Sequence, residues 1–220
     1  MTPRFDAVLF DCDGVLVDSE PITNGVLRDM LAESGWSLTQ EDCMRLFIGK
    51  AVRDERALIE AQTGRPLTED WMRAFYERRN QRLRAELQAI DGAVDAVRAA
   101  HGHTSGRIAC ASGADRHKVE FQIDMVGLRP YFGDRILSGH EMPRSKPAPD
   151  VYLAAAARLQ AEPAAGLVVE DTVTGVRAGV AAGCTVWAYV PEGADARPLV
   201  EAGALQVLGR MADLVGRLGR

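Results

Sequence analysis

The chain contains no apolar run long enough to cross a membrane, no Cys-x-x-Cys pair, no internal repeat, no low-complexity tract and no excess of positive charge. Each absence excludes something. A spanning helix needs about twenty consecutive apolar residues, and none is present. A formal charge of −5 argues against nucleic acid or an acidic membrane as partner, since both attract a basic surface. The four cysteines, Cys12, Cys43, Cys110 and Cys184, are widely spaced. They read as small buried hydrophobes of a reducing compartment rather than as a disulfide or zinc framework. A strand-like segment follows Met1 so closely that no secretory leader is expected, and the expected location is cytoplasmic.

What is present is the composition of an ordinary globular protein, 47% apolar and 26% charged over 220 residues. That length suits a core domain with a small insert. Strand-like segments fall at Ala7–Phe10, Arg107–Cys110, Arg135–Leu137, Leu167–Val169 and Thr185–Val190. Helical spacing links Val119, Ile123 and Val126, then Tyr152, Ala156 and Leu159, then Val173, Val176 and Val180. From about residue 92 onward this alternation predicts βαβ units and a parallel sheet with helices on both faces. Residues 19–86 differ. They carry four helical patterns and no strand: one opening at Ser19-Glu20-Pro21, one capped by Thr39, one over Val52–Thr63, and one from Thr68 through Leu83. The prediction is an α/β core domain made of residues 1–18 and 87–220, interrupted by an all-helical domain at 19–86.

Two carboxylates, Asp11 and Asp13, sit at the end of the apolar run Val8-Leu9-Phe10 and beside Gly14. The carboxyl end of a buried parallel strand is where such sheets hold their chemistry. The pair either faces one cleft or is turned apart at Gly14. In both cases the crowded charge calls for a cation, a shared proton or open solvent. Three further groups follow later strands: Ser112-Gly113, Lys146-Pro147 and Glu170-Asp171. Singly they have plain readings, namely a turn, a solvated lysine before a helix, and acids at a helix N-terminus. Asp11-x-Asp13 alone also suits calcium or simple turn chemistry. Together they suit phosphoryl transfer: carboxylates for magnesium, a hydroxyl and an amide for phosphoryl oxygens, and a lysine to offset charge.

In this order the four segments resemble the four motifs of the haloacid dehalogenase superfamily. The helical insert resembles the α-helical cap of its first subclass. The resemblance spans the whole chain and implies a Rossmann-like core, a mobile cap and Mg2+-dependent chemistry. It casts Asp11 as the nucleophile that forms an aspartyl-phosphate, and Asp13 as the general acid/base. It implies a magnesium site made by the Asp11 carboxylate, the Asp13 backbone carbonyl and the Asp171 carboxylate. Ser112 and the Gly113 amide would hold transferring oxygens, Lys146 would screen charge, and Glu170 would support Lys146 or the metal. The carboxylate at Asp13 resembles the phosphatases rather than the dehalogenases, because attack on carbon needs no leaving-group proton.

In the cap, Arg79 shares the apolar stripe of Met72, Phe75, Tyr76 and Leu83, and Arg79-Asn80 corresponds to a basic residue and an amide that reach a substrate anion in resembling enzymes. Lys50 and Arg53 resemble a substrate-selecting cap loop, with a surface loop as the plainer reading. The β-phosphoglucomutase branch carries a histidine where this chain has Thr23 and a lysine where it has Asp115. The expected activity is therefore hydrolysis of a small phosphorylated metabolite, a sugar phosphate or a sugar-acid phosphate such as 6-phosphogluconate. A phosphosugar mutase and a non-catalytic phosphometabolite-binding module are the alternatives. His101-x-His103 is expected in a polar loop rather than on a metal.

Overall fold

The structure, a computed structural model, describes residues 5–218. Its contacts divide the chain into two compact units. One closes at Val17 and resumes at Ala89; the other is Asp18–Gln88.

The first unit is built on six parallel strands: β1 (Ala7–Phe10), β2 (Ile108–Ser112), β3 (Ile136–Ser138), β4 (Gly166–Glu170), β5 (Thr185–Tyr189) and β6 (Gln206–Leu208). They lie in the order β3-β2-β1-β4-β5-β6. Among the described residues, seven α-helices belong to this unit: α5 (Ala93–His103), α6 (Arg116–Met125), α7 (Arg129–Phe132), α8 (Asp150–Arg158), α9 (Val173–Ala181), α10 (Arg197–Glu201) and α11 (Asp213–Leu218). Every residue of β1, β2 and β4 is buried, which is why, up to Ser112 and Glu170 at the ends of β2 and β4, these strands run apolar rather than alternating. Between β2 and β4 the strand order reverses at β1, and such a switch point opens a crevice beyond the strand ends. The register pairs Phe10 with both Cys110 and Val169, so Asp11 emerges between the ends of β2 and β4.

The second unit holds α1 (Glu20–Glu33), α2 (Gln40–Phe47), α3 (Arg56–Thr63) and α4 (Glu69–Glu86). Its core gathers Val26, Leu27, Met30, Leu31, Cys43, Phe47, Ile59, Met72 and Phe75. Thr39 and Thr68 each accept a hydrogen bond from an amide in the first turn of the helix they start, Asp42 and Trp71 respectively. No described helix of either unit is long and apolar enough to cross a membrane.

Three elements depart from the sequence expectations. The third helix of the second unit begins at Arg56, not Val52. Residues 51–55 form hydrogen-bonded turns instead, and Val52 joins the core from that turn, so its apolar spacing mimics a helix. Strand β6 carries no long apolar run because it is a three-residue edge with one neighbour. His101 and His103 lie in the last turn of α5 rather than in a loop, with the His101 ring edge-on to Tyr131 at 5.5 Å.

Candidate active site

At the carboxyl edge of the sheet, Asp11 leaves β1 with its amide held by the Val169 carbonyl at 3.0 Å. Gly14 then takes φ +78°, a left-handed conformation that turns the chain. Gly14 N–H donates to the Val17 carbonyl, closing the loop that presents Asp13. Gly14 is required for a second reason: a Cβ there would collide with the Asp171 carboxylate.

Ser112 and Glu170 are the last residues of β2 and β4 rather than the first of their loops. The Ser112 hydroxyl accepts from the Ala114 amide at 3.1 Å, which leaves its own proton to donate elsewhere. Lys146, from the loop after β3, reaches back to the sheet. Its Nζ lies 2.6 Å from Asp11 Oδ1, 2.7 Å from Glu170 Oε1 and 2.9 Å from the Tyr152 hydroxyl. Glu170 is fully engaged. Oε1 takes Lys146 and the Tyr152 hydroxyl, while Oε2 takes the Asp171 and Thr172 amides and the Thr172 hydroxyl.

These contacts set the charge states. Burial pushes the Asp11 carboxyl up to about 7, with Lys146 opposing and Glu170 and Asp13 adding to the rise. Glu170 is held below the usual range: burial works against it, and the Lys146 charge and the hydrogen bonds outweigh burial. Burial works to lower the Lys146 ammonium, but Asp11 and Glu170 override it and hold it well above its ordinary value. Asp11 is thus the weaker partner in a contest of two buried carboxylates for one lysine.

The carboxylate oxygens of Asp11, Glu170 and Asp171 come within 4.8 Å of one another. Asp171 Oδ1 is buried and takes no hydrogen bond. Lys146 pairs with Asp11 and Glu170, and Lys118 with Asp13, so the cluster is dense in acidic oxygen. A divalent cation would fit among these clustered carboxylates, and oxygen donors of this kind suit magnesium. Of the three clustered acids, Glu170 is the poorest ligand because both its oxygens are already spent on donors.

The residues proposed for the second unit are held by partners of their own. Lys50 Nζ lies 3.4 Å from Glu55. Arg53 makes a two-pronged pair with Glu69 at 2.7 and 2.8 Å. Arg79 is buried and donates twice to the side-chain oxygen Oδ1 of Asn80, at 3.0 and 2.8 Å, with its guanidinium 4.9 Å from the Tyr76 ring centre.

Sequence reasoning missed four contributors. Lys118 and Gln122 on α6 both donate to Asp13 Oδ1. Tyr152 passes for a core residue because its ring is one; only its hydroxyl reaches Lys146. Thr172 caps α9 through Gly175 N–H while binding Glu170. A lysine and a glutamine four apart within a buried helical stripe were the one available signal.

A family model described as "haloacid dehalogenase-like hydrolase" matches residues 5–183. The chain is 29% identical over 187 residues to the 6-phosphogluconate phosphatase of Escherichia coli (strain K12), covering 84% of this chain and 83% of that protein. It is 28% identical over 205 residues to the phosphorylated carbohydrates phosphatase of Thermotoga maritima, covering 92% and 94%. Among solved structures, a HAD family hydrolase from Deinococcus radiodurans R1 with bound phosphate and sodium superposes with TM-score 0.81 at 33% identity, covering 99% and 97%.

Proposed function

The chain belongs to the haloacid dehalogenase-like hydrolases, and from that premise we propose that it is a magnesium-dependent phosphatase of a small phosphorylated metabolite, with Asp11 as nucleophile. The observation that carries the reading is the junction of Asp11 and Lys146 at the end of β1, with Asp13 and Asp171 brought to the same edge.

Asp11 would attack phosphorus through a carboxylate oxygen as the ester P–O bond breaks. Asp13 would give a proton to the leaving oxygen, then take one from the water that releases the aspartyl-phosphate. The Ser112 hydroxyl and the Gly113 amide would donate to phosphoryl oxygens, and Lys146 would offset the charge between nucleophile and phosphate. The magnesium ion would be held by the Asp11 and Asp171 carboxylates and the Asp13 backbone carbonyl. When bound it supplies charge neutralisation and keeps Asp11 ionised against its raised pKa.

For substrate we favour a sugar phosphate or sugar-acid phosphate, the class named for both curated relatives. Arg79 and Asn80 are assigned to a second anionic group on it. Lys50 and Arg53, both already paired with acids, fit a surface role better. Asp115 accepts from the Lys118 amide as the cap of α6, so the residue in the mutase lysine position serves the helix. We place the activity in the cytoplasm, without nucleic acid or membrane. Phosphate release from a panel of phosphorylated metabolites, dependent on magnesium and abolished in Asp11→Asn, is the expected result. Full activity in that variant would sink the assignment.

A further inference from the structure

We propose that Ser138 is a positioning residue: acting through Ala114, it fixes the Ser112 hydroxyl so that the Ser112 proton is kept for a phosphoryl oxygen. The inference rests on the phosphatase reading.

Ser112 and Ser138 end neighbouring parallel strands, and the register pairs them with each other. Each is 1% exposed, so their hydroxyls must find partners inside the protein or on a ligand. Only Gly113, Ala114 and Asp115 lie between Ser112 and the start of α6. Ala114 is held from both strand ends. Its N–H donates to Ser112 Oγ at 3.1 Å, and its carbonyl accepts from Ser138 Oγ at 2.6 Å. The His140 N–H donates to Ser138 Oγ at 3.2 Å, so the Ser138 oxygen accepts from one loop and gives its proton to the other. Beside this bond, a Cβ on Gly139 would come within 3.3 Å of Gly113 Cα and of the Ser112 carbonyl oxygen, so the two loops meet backbone to backbone. Arg116 fastens the same segments again, donating to the Ile136 carbonyl and pairing with Glu141.

A serine hydroxyl has one proton and rotates to spend it on whichever acceptor is in reach. In a loop those acceptors include nearby backbone carbonyls, which compete with a ligand. An amide N–H cannot accept, so the Ala114 N–H on Ser112 Oγ turns the hydroxyl proton away from itself. That orientation lasts only while Ala114 stays in place, and the bond from Ser138 to its carbonyl is what holds it. Without the Ser138 hydroxyl the Ala114 carbonyl loses its donor, the short loop relaxes, and the Ser112 proton is no longer directed. A donor set in advance stabilises a transition state more than one that must turn during the reaction. The loss therefore falls on kcat rather than on KM. Ser138 itself meets no reacting atom.

The test measures kcat and KM for 4-nitrophenyl phosphate, with magnesium, as Ser138→Ala is placed in three backgrounds: wild type, Ser112→Ala and Tyr152→Phe. In the wild type it should lower kcat by about fivefold to twentyfold, a part of the roughly hundredfold to thousandfold cost of losing an oxyanion donor outright. KM should stay within about threefold. A similar fall in kcat is expected in Tyr152→Phe, which leaves Ser112 untouched. In Ser112→Ala, which has no hydroxyl to misdirect, the same substitution should cost less than about twofold. A merely loosened fold would lower kcat by one factor in all three backgrounds. Equal losses therefore overturn the proposal, and so does a wild-type kcat in Ser138→Ala. If Ser138→Ala does not fold, Ser138→Cys, which puts a weak donor in place of the hydroxyl, carries the same comparison. Either overturning result leaves the phosphatase reading standing. An active Asp11→Asn removes that reading and the proposal with it.

Discussion

Gly175, in the first turn of α9, has no side chain where Glu170 has its carboxylate: a methyl group on its Cα would overlap Oε1 and Cδ. The strand end and the helix start share one volume, and only glycine at 175 allows Glu170 to reach Lys146 from one side and the Thr172 cap from the other. Gly175→Ala should therefore expel Glu170 from its contacts without touching any residue that meets substrate. The cost of breaking this buried pair is about 3–5 kcal/mol, read as a lower urea midpoint, and hydrolysis should fall with it as Lys146 loses a partner. Wild-type stability and turnover in Gly175→Ala would mean that Glu170 relocates freely and is not needed to hold Lys146.

Tyr152 separates a ring from a hydroxyl. The Lys146 Nζ lies 4.7 Å from the ring centre and 2.9 Å from the oxygen, and the same oxygen lies 3.0 Å from Glu170. Tyr152→Phe keeps the packing and the cation–π contact but removes the hydroxyl. The expected loss is about 1–2 kcal/mol of stability by urea titration. The fall in kcat should stay below about tenfold, because the bond from Lys146 to Asp11 survives. A much larger kcat loss at unchanged stability would assign the hydroxyl a part in the chemistry itself.

The raised pKa of Asp11 gives a pH signature. Its carboxyl moves from an ordinary 3.8 to about 7 in the folded protein, chiefly through burial. Between those values the folded state binds more protons than the unfolded chain, so this group makes the metal-free protein less stable as pH rises from about 4 to 7. Magnesium binding requires the ionised form and should reverse the trend. The rise in Tm on adding magnesium should grow from pH 5.5 through pH 7 and level off by about pH 8. In Asp11→Asn the pH dependence of that increment should flatten. An increment independent of pH in the wild type would place the metal elsewhere.

Five of the six strands and the four motif segments were legible because each rests on a local pattern. Val8-Leu9-Phe10 and Leu167-Val168-Val169 are buried on both faces and so read as strands, and the acids that follow them are adjacent in sequence. The clamp on Asp13 was not legible. Lys118 and Gln122 are 105 and 109 residues from it, and their meeting depends on how α6 packs beside β3. The start of α3 was misplaced because a turn residue, Val52, packs as a helical one would. Gly175 carries no signal of its own in the sequence; its necessity exists only once Glu170 is in place.

Arg79 and Arg53 make opposite predictions from similar chemistry. Arg53 spends two guanidinium nitrogens on Glu69 across an exposed surface, where solvent screens such a pair. Arg79 is buried along the stripe of Met72, Phe75 and Leu83, and it turns the side-chain oxygen of Asn80 toward itself. That leaves the Asn80 amide group as a donor facing away from the guanidinium. Recognition of a carboxylate by a charged donor is worth about 1.5–3 kcal/mol. Arg79→Met should then raise KM for a phosphorylated sugar acid by roughly tenfold to 150-fold, with a smaller effect on kcat. The same substitution should matter less for a phosphorylated sugar that lacks the carboxylate. Arg53→Ala should leave both substrates within about twofold of wild type. A KM effect that follows Arg53 instead of Arg79 would move specificity from the α4 stripe to the loop before α3.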